Sequence, residues 1–144
     1  MIVGRTIRQI SRGDSASFTK TVSEADVYLY AGVTGDLNPA HINEVYAAGT
    51  FFKSRIAHGM LTAGFVSAVL GMQLPGPGTI YLGQSLRFLA PVRIGDTITA
   101  TVEVIEIDEP KNRLRLKTTC TNQDAVVVLE GEATVSPPKA PKSA

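Results

Sequence analysis

The sequence predicts a single α+β domain in which an antiparallel sheet wraps around one buried helix. Three observations lead there. The hydrophobic period changes from helical to two after Thr79, the segment from His58 to about Leu70 is apolar nearly all round, and the strand-like stretches are grouped apart from the helical ones. A chain of 144 residues fits one such domain. Residues 1–136 are assigned to it, and the Pro, Lys, Ala and Ser tail over 137–144 is expected to fray.

Each element has its own signal. Ser17 to Val22 reads as a short strand. Ser23 is a good N-cap, and Glu24 and Asp26 sit in the first turn, where the helix dipole favours negative charge. Ala25, Val27, Leu29 and Tyr30 carry that helix to about Thr34, and Gly35 ends it. The next six residues, Asp36-Leu37-Asn38-Pro39-Ala40-His41, are expected to form an ordered loop, because Pro39 disfavours helical backbone at Asn38. A short helix fits Glu44 to Ala48. In the buried helix, Leu61, Phe65 and Ala68 share one face and Gly59, Ala63, Val66 and Leu70 another, while its small residues let other backbones come close. Tyr81 to Phe88, Asp96 to Ile107, Arg113 to Asn122 and Ala125 to Val135 then read as four strands of a long antiparallel meander. Asn122-Gln123-Asp124 suits a tight hairpin between the last two.

Composition excludes several function classes. Hydrophobic residues make up 44% of the chain, enough for a real core. Fourteen Lys and Arg against 13 Asp and Glu give a net charge of +1, so no basic field suited to nucleic acid is expected. The single Cys120 cannot form an internal disulfide or a multi-cysteine metal site, and its β-rich setting predicts a small buried side chain. Met1 to Arg5 lack the apolar core of a signal peptide. The apolar stretch from Met60 to Leu74 is too short and too mixed to span a bilayer, so no membrane partner and a cytoplasmic location are expected. Gly76-Pro77-Gly78 lacks the third glycine of a dinucleotide fingerprint and reads as a turn.

Chemistry concentrates around the only two histidines, His41 and His58. Asp36 and His41 stand five residues apart across the Asn38-Pro39 bend, which can aim both into one cavity. A carboxylate and an imidazole around one water form a general acid–base pair, since histidine titrates near neutral pH and a carboxylate orients or ionises its partner. Read as anonymous residues, Asp36 is equally a turn former and His41 a hydrogen-bonding structural residue. Asp36, His41 and His58 match no known metal-ligand spacing.

A resemblance decides between these readings. Tyr30-Ala31-Gly32-Val33-Thr34 followed by Gly35-Asp36-Leu37-Asn38-Pro39-Ala40-His41 is similar to the hydratase 2 signature of the MaoC-like family. The similarity continues through Arg55-Ile56-Ala57-His58-Gly59-Met60-Leu61, the stretch from Leu74 to Phe88, and Pro91 to Asp96, so it covers roughly residues 18 to 135. The chain most resembles the short (R)-specific enoyl-CoA hydratases that feed polyhydroxyalkanoate synthesis. That resemblance implies a hot-dog fold, a homodimer, and addition of water to a trans-2-enoyl-CoA to give an (R)-3-hydroxyacyl-CoA.

The same resemblance implies roles for particular residues. Asp36 and His41 become the catalytic pair, with the choice of formal base left open, and Asn38 steadies them or simply forms the turn. Gly59 places an oxyanion hole at its amide, where helix-start N–H groups are unpaired and no Cβ blocks the ligand. His58 is implied beside the substrate, as a structural histidine before a third catalytic group. Ser67 and Leu70, eight and eleven residues beyond Gly59, line the end of the acyl pocket or belong to the plain core. No metal or redox cofactor is implied, since hydration is redox-neutral, and coenzyme A is the carrier part of the substrate. Rival activities are a 3-hydroxyacyl-[acyl carrier protein] dehydratase, a hot-dog acyl-CoA thioesterase and a non-catalytic thioester-binding module.

Overall fold

Alternation of polar and apolar side chains builds the first strand, β1 (Ser15–Thr21), with Ala16 and Phe18 turned inward and its Ser and Thr positions exposed. The computed structural model describes residues 2–142. Helix α1 (Glu24–Thr34) starts in a capping box: Asp26 N–H donates to the Ser23 hydroxyl and Ser23 N–H to the Asp26 carboxylate. Gly35 ends it at φ 80°, a left-handed turn that a side chain would oppose. Two short helices follow, α2 (Pro39–Ile42) and α3 (Glu44–Ala48), and then α4 (Gly59–Met72). The remaining strands are β2 (Ile80–Phe88), β3 (Thr97–Asp108), β4 (Arg113–Thr121) and β5 (Val127–Ser136).

The five strands form one antiparallel sheet in the order β1-β3-β4-β5-β2. Only β3 to β5 is a meander. β2 crosses to the far edge beside β5, because β1 already occupies the free side of β3 from Thr97 to Glu103. Hydrophobic alternation specifies which face of a strand is buried but not which strand lies beside it, so the expected four-strand meander is corrected here.

All five strands touch α4. Val66, Val69 and Leu70 of the helix meet Ile98, Ala100, Val102 and Val104 of β3 and Leu114, Leu116 and Cys120 of β4 in one hydrophobic core. The helix is nonetheless covered on one side only, with Met60 53% exposed and Gly64 and Ser67 also facing outward.

The expected loop from Asp36 to His41 contains α2 in its second half. Proline has its φ fixed near the helical value and tolerates the first helical position, and the Asn38 side chain accepts from Ala40 N–H at 3.0 Å, so Asn38-Pro39 starts a helical turn. Past β5, Pro137 is buried and its carbonyl accepts from Asn112 Nδ2 at 2.8 Å. The tail expected to fray over 137–144 reaches Ser143 and Ala144, which lie outside the described residues.

Candidate active site

The two ends of α1 and α2 bring Asp36 and His41 together. Gly35 turns the chain out of α1 so that Asp36 leads into the Asn38 cap, and one turn of α2 later His41 faces back. Backbone contacts fix this loop. Asn38 N–H donates to Asp36 Oδ1 at 3.2 Å, and Asp36 N–H donates to the Thr34 hydroxyl at 3.2 Å. Asn38 thus contributes a cap and an amide to the carboxylate, and its own side chain is turned to α2.

Two backbone carbonyls set the tautomers of both imidazoles. His41 Nδ1 lies 2.7 Å from the Ile56 carbonyl oxygen, which can only accept, so Nδ1 carries the proton and Nε2 keeps a lone pair when the ring is neutral. His58 Nε2 donates likewise to the Asp36 carbonyl at 3.0 Å. The His58 ring is 2% exposed and packed between Tyr30, at a centroid distance of 4.6 Å, and His41, at 3.9 Å. His58 Nδ1 and Thr62 Oγ1 are buried without a hydrogen-bond partner.

One atom from each of Asp36, His41 and His58 lies within 4.8 Å of the others. Their spacing along the chain matches no established metal-ligand pattern, and each ring commits one nitrogen to a backbone carbonyl, leaving His41 Nε2 and His58 Nδ1 as the free ring nitrogens.

Asp36, His41, His58 and Gly59 all line one cavity of about 510 Å³. Gly59 is the first residue of α4, and among the described residues its N–H has no acceptor, so the positive end of the helix faces the cleft. Its missing Cβ is also a packing requirement: a Cβ there would lie 2.6 Å from the Phe88 ring. Much of the remaining lining is apolar and includes Phe51, Phe52, Phe88, Val92 and Leu129. These wall residues escaped the sequence reading. The Phe51-Phe52 doublet, set in a polar loop of a chain with 6% aromatic residues, was the available signal.

Ser67 and Leu70 stand away from this cavity. Ser67 is on the exposed side of α4, and Leu70 is 1% exposed within the core. Cys120 is fully buried, and burial pushes its thiol up to about 12.

A carboxylate–imidazole pair that shares an apolar cleft with an unpaired helix-end amide has the groups needed to activate a water beside a polarised carbonyl. Comparison with known proteins specifies the family. Residues 8–127 match the MaoC like domain, and the chain belongs to that family. It is 61% identical over 129 residues to an (R)-specific enoyl-CoA hydratase of Rhodospirillum rubrum, covering 90% of this chain and 89% of that protein. Its fold matches the unliganded R-hydratase PhaJ1 from Pseudomonas aeruginosa with a TM-score of 0.90 and 45% identity, covering 95% of this chain and 88% of the other. The (R)-hydratase from A. caviae, involved in PHA biosynthesis, matches with a TM-score of 0.88 and 42% identity, covering 91% of this chain and 99% of the other. The wrapped sheet and its helix are therefore the hot-dog fold.

Proposed function

We propose that this protein is an (R)-specific enoyl-CoA hydratase, a hydro-lyase that adds water across the double bond of a trans-2-enoyl-CoA. The observation that carries the reading is the convergence of Asp36 and His41 on one cavity that also receives the free Gly59 amide. The 61% identity to an (R)-specific enoyl-CoA hydratase supports the same reading.

The chemistry follows from the hydrogen-bonding capacity of each group. A water has two O–H bonds to donate; the Asp36 carboxylate and His41 Nε2 are two acceptors, which leaves the oxygen lone pair free for C3 of the substrate. As the C3–O bond forms, the C2–C3 π electrons move toward the thioester, and negative charge collects on its oxygen. The Gly59 N–H, supported by the α4 dipole, stabilises that oxyanion; one such donor is typically worth roughly 3 to 4 kcal/mol. The pair takes one proton from the attacking water and returns a proton to C2 on the same face, so the sum is addition of H and OH. His58 serves as the buried strut between the Asp36 carbonyl and the His41 ring.

The finer parts of the reading belong to the same proposal. The protein acts in the cytoplasm as a homodimer and supplies (R)-3-hydroxyacyl-CoA for polyhydroxyalkanoate synthesis from fatty-acid oxidation. The outer side of β2 supports dimerisation: it is a nine-residue edge strand with Ile80 and Leu82 60% and 48% exposed, whereas the other edge, β1, shows Ser and Thr. Among the described residues no helix is long and apolar enough to cross a membrane. A limit on acyl length by Leu70 and Ser67 rests on the resemblance alone, since both stand outside the cavity.

The test is loss of crotonyl-CoA absorbance with chiral analysis of the 3-hydroxy product, run beside the matching acyl-carrier-protein thioester and a free-thiol assay. Expected is an (R) product from the CoA substrate. Absence of hydration, or release of free thiol in its place, overturns the reading.

A further inference from the structure

Arg55 lies in the motif that leads into His58, yet it is not among the residues that line the cavity. Its side chain is only 14% exposed, unusual for an arginine, and every part of its fork is used. Nε donates to Glu44 Oε2 at 3.0 Å, one terminal nitrogen to Glu24 Oε1 at 2.6 Å, and the other to the Tyr28 hydroxyl at 3.0 Å. The Tyr28 hydroxyl in turn donates to Glu24 Oε1 at 3.1 Å. The Arg55 hydrogen bond and charge hold the Glu24 carboxyl below its ordinary range, and Glu24 and then Glu44 raise the guanidinium.

Arg55 and those partners together span three segments around the site. Glu24 and Tyr28 belong to α1, whose C-terminal end delivers Asp36. Glu44 opens α3, directly after the turn that carries His41. Arg55 itself precedes Ile56, whose carbonyl receives His41 Nδ1–H, whose N–H donates to the Ala40 carbonyl at 3.3 Å, and which bridges to Arg93. We propose that Arg55 is a positioning residue: its guanidinium ties α1, α3 and the Ile56 segment into one unit, and so fixes the Ile56 carbonyl that holds His41 in the Nδ1–H tautomer. Lysine cannot substitute, because a single ammonium on a flexible stem cannot span three acceptors in a planar fork.

The kinetic consequence rests on the hydratase reading, while the tautomer consequence does not. Because His41 and His58 are the only histidines, long-range proton–nitrogen spectra of the untagged, ¹⁵N-labelled protein resolve each ring. Arg55→Met and Arg55→Lys are expected to lower kcat for crotonyl-CoA by roughly 10- to 100-fold with KM within a few-fold, as misplacement of a reacting group does. In both, the His41 ring nitrogens move toward the average of the two tautomers. Should these variants fail to fold, the Glu24→Gln/Glu44→Gln double variant, at positions 53% and 57% exposed, carries the same prediction with a smaller fall in kcat. Wild-type kcat in a folded variant, or a lower kcat with His41 nitrogens unchanged, overturns the proposal. If the wild-type protein does not hydrate enoyl-CoA, the activity reading fails, and the His41 nitrogen shifts alone decide the role of Arg55.

Discussion

His41→Asn separates the two duties of this histidine. The asparagine amide nitrogen sits where Nδ1 does and can still donate to the Ile56 carbonyl, now 2.7 Å from Nδ1, but nothing replaces Nε2. His41→Ala removes both. The alanine variant loses one hydrogen bond, worth about 0.5–1.5 kcal/mol net, together with the 3.9 Å ring stack on His58, worth about 0.5–1.5 kcal/mol. It should therefore be about 1–3 kcal/mol less stable than the wild type, and the asparagine variant should recover the hydrogen-bond part of that. Hydration should fall by at least ~100-fold in both, which at about 1.4 kcal/mol per decade is about 2.8 kcal/mol of transition-state stabilisation. Urea denaturation measures the first quantity and initial rates with crotonyl-CoA the second. Equal stability of the two variants would remove the Ile56 contact from the argument, and activity within a few-fold of wild type in His41→Asn would remove the imidazole from the chemistry.

Asp36→Asn should likewise cost at least ~100-fold in kcat with the fold intact by circular dichroism, because it retains an acceptor for Asn38 N–H and loses only the charge that the proposed mechanism uses. Gly59→Ala places a methyl 2.6 Å from the Phe88 ring and should cost about 1–3 kcal/mol by overpacking; Phe88→Ala in the same chain should recover most of it, as a double-mutant cycle will read. Leu70→Ala should cost about 2–5 kcal/mol, since the side chain is 1% exposed, and should shift relative kcat/KM toward longer enoyl-CoAs; an unchanged chain-length profile would confine Leu70 to the core. Cys120, buried and with its thiol raised to about 12, should resist a disulfide reagent at pH 8 in the native state and react fully once the chain is unfolded in denaturant.

Legibility in the sequence divides along a physical line. Local signals worked where a residue acts on its immediate neighbours. Ser23 with Asp26 makes the capping box, Gly35 takes φ 80°, and the alternation through β3 and β4 buries Ile98, Ala100, Leu114 and Leu116. Pairings between distant segments were not legible. The place of β2 beside β5 depends on which side of β3 is already taken, and nothing within Ile80–Phe88 encodes that. The turn at Pro39 was read through the restriction proline puts on the residue before it. The same proline is a favourable first helical residue when the preceding side chain caps, and here the Asn38 cap won.

The site shows the same division more sharply. Asp36 and His41 were visible because a short bend joins them, but what makes them a pair is supplied from afar: the Ile56 carbonyl, fifteen residues on from His41, selects the tautomer, and the His58 ring, twenty-two residues on from Asp36, braces the loop. Both supports lie in one short segment that also ends in the Gly59 amide, so the proposed acid–base pair and the proposed oxyanion donor depend on a single stretch of backbone. That economy makes the segment's own anchorage the sensitive point of the design. Only a side chain with several donors in one plane could tether it at once to α1 and α3, and the arginine beside Ile56 has that geometry. A motif read letter by letter hides this, because Arg55 lies outside the cavity and its tethers run to α1 and α3 instead.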